Sequence, residues 1–240
     1  MTRTVVFAVP TYGQHPSFHF TRSSIATLDL CKNAGIVTQW NFRPGDPYIS
    51  KCRSALATEF LTEHKGSDDF FFLDDDVGWD PKAALRIIER DEEVIAGVYP
   101  KKQDVEEFPV ELLFDEKTMR PIRRDHLVLA ALVPTGFLRI KRRVLEACAE
   151  QSGIYVHPDS RKTAFDCYDL FRNGFIPDQP DGRRGRWWGE DFFFSFMVRQ
   201  LGFEIWVDPD IEFTHSGNYT WRGNFSKALA EKASLLSSAA

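Results

Sequence analysis

Short apolar runs alternate with helical patterns over the first hundred residues of the chain. Val5–Val9 is a continuous apolar run, rich in β-branched residues, that ends at Pro10. Such a run is typical of a strand that is buried on both faces of a parallel sheet. Residues 48–64 carry apolar side chains at three- and four-residue steps, which predicts a long helix. The alternation predicts an α/β fold with a mostly parallel central sheet flanked by helices.

The same patterns predict the remaining elements. Further helices are predicted over 23–34, 141–151 and 190–201, after Pro81, and in the tail from Phe225. Further strands are predicted over 36–42, 70–73, 93–98, 110–114, 127–133, 135–140, 203–207 and 211–214. In the helix over 23–34, Ile25, Leu28 and Cys31 share one face, which we expect to be buried. Residues 153–186 are rich in Pro, Gly, Asp and Arg and are predicted to be mostly loop.

Charge and cysteine usage disfavour several classes of protein. The 240-residue chain has a formal net charge of -5, whereas a dedicated nucleic-acid binder usually has a basic surface. None of the four cysteines forms a C-x-x-C pair, so neither a structural zinc site nor a disulfide framework is expected. No leader pattern opens the chain, and no apolar run approaches the ~20 residues of a membrane span. We therefore expect a cytoplasmic protein with free thiols and no integral membrane span.

Three consecutive carboxylates, Asp74, Asp75 and Asp76, follow the apolar run Phe70–Leu73. Ligands of open α/β sheets bind at the carboxyl ends of the strands, where these aspartates are expected. Adjacent carboxylates repel one another unless a cation neutralises them. In an extended backbone Asp74 and Asp76 would point to the same side, which suits Mg²⁺ or Mn²⁺, and Asp75 would point away. The alternative is a solvated acidic turn.

Two later motifs can be read in the same way. Glu190 and Asp191 follow Gly189 at a predicted helix start, where a carboxylate suits a general base but also simply stabilises the helix dipole. His215 ends a short predicted strand, and a neutral imidazole is a good ligand for Mn²⁺. A lone histidine is more often structural, so His215 gains weight only beside the aspartates.

The segment from Arg183 to Trp188 offers a different kind of contact. Its three arginines, Arg183, Arg184 and Arg186, lie beside glycine and could clamp a diphosphate or a phosphorylated acceptor, or form a solvated loop. Trp187 and Trp188 could stack on sugars or bases, or belong to the core.

Taken in order, these motifs resemble the glycosyltransferases of the type A fold, particularly the family-2-like enzymes. The series runs from Pro10-Thr11-Tyr12 through Arg53, Leu73–Asp76 and Val133–Ile140 to Gly189–Asp191 and His215. The resemblance implies a single Rossmann-like domain over 1–240, with a small antiparallel part on the acceptor side. Its nucleotide-sugar-binding half would be 1–100, its acceptor-binding half 101–220 and its helical tail 221–240.

The resemblance also implies a role for each matching residue. It places Pro10, Thr11, Tyr12, Arg53, Asp74 and Asp75 at the donor nucleotide, Asp74, Asp76 and His215 at a Mn²⁺ or Mg²⁺ ion, and Trp187, Trp188 and Gly136 at the acceptor or sugar. Asp191, rather than Glu190, would deprotonate the acceptor hydroxyl. The implied donor is a nucleoside-diphosphate sugar, with a UDP-sugar as the expected case.

Two departures and two alternatives stay open. Arg53 is followed by Ser54 and Ala55 instead of the family's Asn-Gly, and the segment after residue 150 matches no acceptor domain. The first alternative is a Mg²⁺-dependent phosphohydrolase of the haloacid dehalogenase type, since Leu73–Val77 resembles part of its signature. The second is a non-catalytic module that binds nucleotide or carbohydrate. The acceptor is open among a glycan, a lipid-linked sugar, a small molecule, a protein and a modified nucleobase.

Overall fold

The computed structural model describes residues 3–158, 163–178 and 184–238. Its helices are α1 (Phe18–Asn33), α2 (Ile49–Glu63), α3 (Pro81–Glu89), α4 (Arg142–Glu150), α5 (Glu190–Gln200) and α6 (Phe225–Ser238). Its strands are β1 (Thr4–Thr11), β2 (Val37–Pro44), β3 (Asp69–Leu73), β4 (Val77–Trp79), β5 (Val94–Gly97), β6 (Glu111–Leu112), β7 (Arg123–Arg124), β8 (Leu127–Leu132), β9 (Phe137–Lys141), β10 (Ile154–His157), β11 (Phe165–Tyr168), β12 (Gly174–Ile176), β13 (Arg186–Trp188), β14 (Ile205–Asp208), β15 (Glu212–Ser216) and β16 (Thr220–Asn224).

The central sheet of the described residues has nine strands in the order β2-β1-β3-β9-β5-β14-β8-β6, with β7 also paired to β8. Only β8 and β9 run antiparallel to their neighbours, so the other seven strands point in one direction. Three small antiparallel sheets, β10-β11, β12-β13 and β16-β15-β4, accompany it. The predicted α/β class, with a mostly parallel sheet and a small antiparallel part, is confirmed.

Both faces of the central sheet are buried. Val6 and Ala8 of β1 belong to a core with residues of α2, α4 and α5, whereas Val5, Phe7 and Val9 face a second core with residues of α1 and α3. Successive side chains of a strand point to opposite faces, so a strand between two helical layers must be apolar at every position. This explains the unbroken apolar run that precedes Pro10.

The first helix differs from its prediction. It begins at Phe18 instead of residue 23, because the Ser17 side chain caps it by accepting the N–H of Phe20. Its buried face carries Phe20, Ser23, Thr27 and Cys31, whereas Ile25 and Leu28 are exposed, so the predicted face is wrong for those two residues. The Ser23 hydroxyl bonds the Trp79 carbonyl at 2.7 Å and Thr27 accepts from the Trp79 indole, so polar residues pack here.

The prediction of loops over residues 153–186 is also wrong in part. Four short strands, β10 to β13, form two antiparallel ribbons there. Strands of three or four residues are too short to show periodicity among prolines and glycines. Strand β4 is equally short and was not predicted, and neither were β7 and β16; the strand predicted over 110–114 shrinks to β6.

Strands from both predicted halves of the chain share the central sheet, since β9 lies between β3 and β5. The division at residues 100 and 220 stays a prediction. Within the described ranges, no helix combines the length and apolar character needed to cross a bilayer. All four cysteines are buried free thiols.

Candidate functional site

The candidate site lies where three strands of one direction end. Strands β1 and β3 are parallel, and β5 has the same direction because both β3 and β5 are antiparallel to β9. Their carboxyl ends lead into Thr11, the aspartates and Tyr99 respectively. This edge of a parallel sheet is where ligands of α/β proteins bind.

The three aspartates form a turn between β3 and β4. The Val77 N–H donates to the Asp74 carbonyl at 3.1 Å, which closes the turn. The backbone is therefore not extended here, so the condition under which Asp74 and Asp76 were expected to point to one side is not met. Asp75 is half-buried, and burial together with the charges of Asp76 and Asp74 raises the pKa of its carboxyl.

Asp74 is held by a buried arginine. The Arg53 Nη2 donates to both Asp74 oxygens, at 3.0 and 3.1 Å, and Arg53 is only 4% exposed. Burial alone would lower the pKa of Arg53, but the carboxylates of Asp74 and Glu190 outweigh it and raise that pKa. The predicted donor residue Arg53 thus reaches this site as a permanent cation.

Asp76 faces a different set of partners. Its carboxylate pairs with the Lys102 ammonium, and its Oδ1 lies 3.6 Å from His215 Nε2. Burial alone would raise the pKa of Asp76, but these two partners hold it below its usual range. His215 Nδ1 lies 2.8 Å from the Pro100 carbonyl, which can only accept, so Nδ1 carries a proton.

That hydrogen bond has a consequence for metal binding. In the neutral imidazole, Nε2 then carries its lone pair on the side of Asp76, and a backbone carbonyl that fixes the tautomer is typical of metal-ligating histidines. A carboxylate oxygen and an imidazole nitrogen are a donor set that suits Mn²⁺. The pair Asp76 and His215 therefore fits such an ion.

The structure does not gather all three predicted ligands. Among the described residues, no group of three or more His, Cys, Asp or Glu side chains is placed to hold a metal ion. Asp74 is the one directed elsewhere, because both of its oxygens face Arg53. The ligand set of Asp74, Asp76 and His215 stays a prediction, as does the choice between Mn²⁺ and Mg²⁺.

The start of α5 supplies the candidate base. Glu190 is engaged, since its Oε1 lies 3.4 Å from the Arg53 Nε. Burial, followed by the charge of Glu190, raises the pKa of Asp191 to about 6. A carboxylate with a pKa near neutrality can take a proton and still be charged at physiological pH. The structure thus distinguishes Glu190, which pairs with Arg53, from Asp191.

The two tryptophans have different environments. Trp187 is 72% exposed on β13, opposite the 63% exposed Phe175 of β12. Trp188 is only 9% exposed and packs against Phe196, with 5.4 Å between the ring centroids. Trp187 is therefore free to contact a ligand, whereas Trp188 belongs to the core.

The remaining predicted residues lie at the same edge or close to it in sequence. Pro10 and Thr11 are buried at the end of β1, and Tyr12 is 70% exposed in the following turn. Gly136 accepts the Asp74 N–H at 2.9 Å through its carbonyl. Arg184 and Arg186 are exposed, and Arg183 lies outside the described residues.

Three residues of this site were not predicted: Tyr99, Pro100 and Lys102. The Tyr99 hydroxyl donates to Asp74, the Pro100 carbonyl holds His215, and Lys102 pairs with Asp76. All three follow β5, whose strand was predicted. Ligand sites form at the carboxyl ends of strands, and the sites predicted after β1 and β3 follow this rule. The same rule applied to β5 would have indicated Tyr99, Pro100 and Lys102.

A separate cavity of about 730 Å³ lies between α1, α6 and the β4-β15-β16 sheet. None of the predicted site residues lines it. Its walls carry both arginine and glutamate side chains, for example Arg22, Arg222, Glu106 and Glu212. The mixed charge favours no single class of ligand. We therefore take the sheet edge, and not this cavity, as the candidate site.

No protein-family model matches the chain, and no curated protein matches it. Among solved structures, it is similar to A197 from STIV, with a TM-score of 0.50 and 19% identity over 90% of this chain and 86% of that one. At this identity the similarity establishes the fold alone.

The similar solved structures include two glycosyltransferases. The catalytic domain of Drosophila β1,4-galactosyltransferase 7, in complex with xylobiose, gives a TM-score of 0.48 and 11% identity over 86% of this chain and 65% of that one. A glycosyltransferase involved in the glycosylation of the major capsid of PBCV-1 gives a TM-score of 0.36 and 11% identity, over 60% and 62%. TM-scores below 0.5 carry no argument, so the assignment to family 2 stays a prediction.

Proposed function

We propose that this chain is a metal-dependent glycosyltransferase that moves a sugar from a nucleoside-diphosphate sugar, a UDP-sugar in the expected case, to an acceptor hydroxyl. The proposal rests mainly on one observation. Asp76 lies in the turn after β3, His215 in β15 and Asp191 at the start of α5, yet all three lie near Tyr99. Asp76 Oδ1 is 3.6 Å from His215 Nε2, and the pKa of Asp191 is raised to about 6.

Each group has a distinct task in this proposal. Asp76 and His215 would hold Mn²⁺ or Mg²⁺, and the bound ion would supply positive charge for the departing diphosphate. Arg53, fixed as a cation, keeps Asp74 and Glu190 in place. Asp191 takes the proton of the acceptor hydroxyl as that oxygen attacks the anomeric carbon, and the glycosidic bond to the diphosphate breaks.

The phosphohydrolase alternative needs a free aspartate oxygen as a nucleophile after the buried strand. Asp74 is the first aspartate there, but its oxygens accept from Arg53 and Tyr99, which weakens them as nucleophiles, whereas Oδ1 can still accept one more hydrogen bond. A binding module without catalysis has no use for a partly buried carboxylate whose pKa is raised to about 6, as that of Asp191 is. Both observations favour the transferase proposal.

Product analysis separates the three possibilities. The protein is incubated with nucleoside-diphosphate sugars and Mn²⁺, with a panel of acceptors, and the products are identified by mass spectrometry. The proposal expects a nucleoside diphosphate and a glycosylated acceptor. Release of inorganic phosphate from phosphate esters without sugar transfer would favour the hydrolase. Donor binding without any product would favour the binding module.

The tryptophan pair gives a matched prediction. Trp187→Ala is expected to raise the KM for the acceptor about tenfold, since a lost contact of ~1.4 kcal/mol has that effect, and to leave the thermal midpoint nearly unchanged. Trp188→Ala is expected to lower the free energy of unfolding by about 3–5 kcal/mol, because it leaves a cavity in the core. Steady-state kinetics and thermal unfolding of both variants check this. Equal KM values for the wild type and Trp187→Ala would remove Trp187 from the acceptor site.

The charge of Glu190 gives a prediction about pH. A general base must be deprotonated, so kcat/KM of the wild type should fall with unit slope below the Asp191 pKa of about 6. Glu190→Gln removes a negative charge that raises this pKa, so the acidic limb should move to lower pH. Profiles of kcat/KM against pH for both proteins measure the shift. A limb that stays in place, or moves to higher pH, contradicts the assignment of Asp191.

A further inference from the structure

Tyr99 closes a ring of hydrogen bonds at the candidate site. The Gly136 N–H donates to the Tyr99 hydroxyl at 3.2 Å, and that hydroxyl donates to Asp74 Oδ2 at 3.4 Å. The Asp74 N–H donates in turn to the Gly136 carbonyl at 2.9 Å. Three segments are thereby tied together: the end of β3, the chain after β5 and the residue before β9.

This ring leaves no room for a larger residue at position 136. A Cβ atom added to Gly136 would collide with both Asp74 Oδ2 and the Tyr99 hydroxyl. Position 136 therefore has space for a backbone but for no side chain. The Gly136 backbone uses both its N–H and its carbonyl in the ring of hydrogen bonds. The glycine is thus explained by the contact between Asp74 and Tyr99.

The aromatic ring of Tyr99 reaches the other half of the site. It packs edge-on against the imidazole of His215, with 4.9 Å between the ring centroids. Tyr99 is 8% exposed, and its hydroxyl is placed to donate to Asp74. One side chain thus contacts Asp74 through its oxygen and His215 through its ring.

We propose that Tyr99 is a positioning residue, whose hydroxyl aims the Asp74 carboxylate at the donor nucleotide and whose ring separately supports His215. The proposal rests on the proposed function, because it takes Asp74 as a donor contact and His215 as a metal ligand. With Arg53 on one side and Tyr99 on the other, the Asp74 carboxylate has a single orientation. The two functions of the side chain can be removed one at a time.

Two variants separate the hydroxyl from the ring. Tyr99→Phe removes the donor to Asp74 and keeps the contact with His215, whereas Tyr99→Leu removes both. Calorimetry first measures the binding of Mn²⁺ alone. It then measures, at saturating Mn²⁺, the binding of whichever of UDP, GDP, ADP and CDP binds the wild type most tightly. Tyr99→Phe is expected to weaken nucleotide binding about tenfold and to leave Mn²⁺ binding within about twofold of the wild type. Tyr99→Leu is expected to weaken both.

A double-mutant cycle distinguishes positioning from a general loss of structure. In an Asp74→Ala background the hydroxyl has lost its acceptor, so Tyr99→Phe should change nucleotide affinity by less than about twofold. If Tyr99→Phe does not fold, as judged by circular dichroism, Gly136→Ala tests the same ring from its other side and should weaken nucleotide binding similarly.

The outcomes are distinct. A wild type that binds nucleotide and Mn²⁺, with a Tyr99→Phe variant that binds both equally well, overturns the role of Tyr99 and leaves the proposed function standing. An equal tenfold loss in the wild-type and Asp74→Ala backgrounds also overturns it, because the hydroxyl would not act through Asp74. A wild type without Mn²⁺-dependent nucleotide binding overturns the proposed function and this inference together.

Discussion

Asp191→Asn is expected to lower kcat by about 10²–10⁴-fold, the usual contribution of a general base. The Kd of the donor nucleotide should stay within about twofold of the wild type, because the proposed role of Asp191 is to take the proton of the acceptor hydroxyl. Single-turnover kinetics and calorimetry measure the two quantities. Turnover that survives unchanged removes Asp191 from the mechanism.

The same variant should be more stable than the wild type. Burial raises the pKa of Asp191 from 3.8 to about 6, so the folded wild type loses stability as the pH rises through that window. The neutral asparagine avoids this cost, which favours the variant by on the order of 1–3 kcal/mol at about pH 8. In thermal unfolding this corresponds to several degrees, and the gain should vanish at about pH 4, where the wild-type carboxyl is also neutral.

Asp166→Asn is the matched control for this experiment. Asp166 is exposed on β11 and undergoes the same chemical change. It should alter neither kcat nor the pH dependence of stability. A stability gain of equal size in both variants would reflect net charge instead of the burial of Asp191.

Asp76→Asn is expected to have the second large effect. A bound dication stabilises the negative charge of the departing diphosphate in the transition state by several kcal/mol. Weaker binding of that ion should therefore lower kcat/KM at a fixed Mn²⁺ concentration by about a thousandfold. Mn²⁺ titrations of activity should also show weaker binding, because the neutral amide oxygen of asparagine is a weaker ligand beside His215 than the carboxylate. Addition of a chelator to the wild type should reproduce the loss.

Asp104→Asn is the control for Asp76. Asp104 is exposed and lies near Lys102 in the chain, and the substitution removes the same charge. Its activity and Mn²⁺ dependence should match the wild type. If Asp76→Asn retains full Mn²⁺-dependent activity, the ion is held elsewhere and the assignment of Asp76 is wrong.

Buried continuous strands were the part of the fold that sequence could predict. The runs around Val6 and Phe71 are apolar at every position because helices cover both faces of the sheet. The buried face of helix α1 was predicted less well, because Ser23 and Thr27 pack against Trp79 through hydrogen bonds. The spacing of apolar residues does not indicate a buried face that is partly polar. The ribbons β10-β11 and β12-β13 are too short for periodicity to show.

The candidate site was predicted in its residue types but not in its pairings. Asp74 and Asp76 were expected to act together, but the turn that leads into β4 sends them to Arg53 and to Lys102 with His215. Such pairings depend on rotamers and on segments distant in sequence. Tyr99 shows this most clearly, since it contacts Asp74 after β3, Gly136 before β9 and His215 in β15. No pattern in the sequence around Tyr99 indicates these contacts.

The most direct test of the account is a thermal-shift screen of nucleoside diphosphates and their sugars, with Mn²⁺ and with a chelator, on the wild type and Asp76→Asn. Ligands that bind only the native state raise the free energy of unfolding, by about 2.7 kcal/mol when the ligand concentration is a hundred times its Kd. The thermal midpoint rises accordingly. At least one nucleotide is expected to raise the midpoint of the wild type with Mn²⁺, and to fail to do so with the chelator or in Asp76→Asn. A nucleotide that stabilises all three equally, or no stabilisation by any nucleotide, would contradict it.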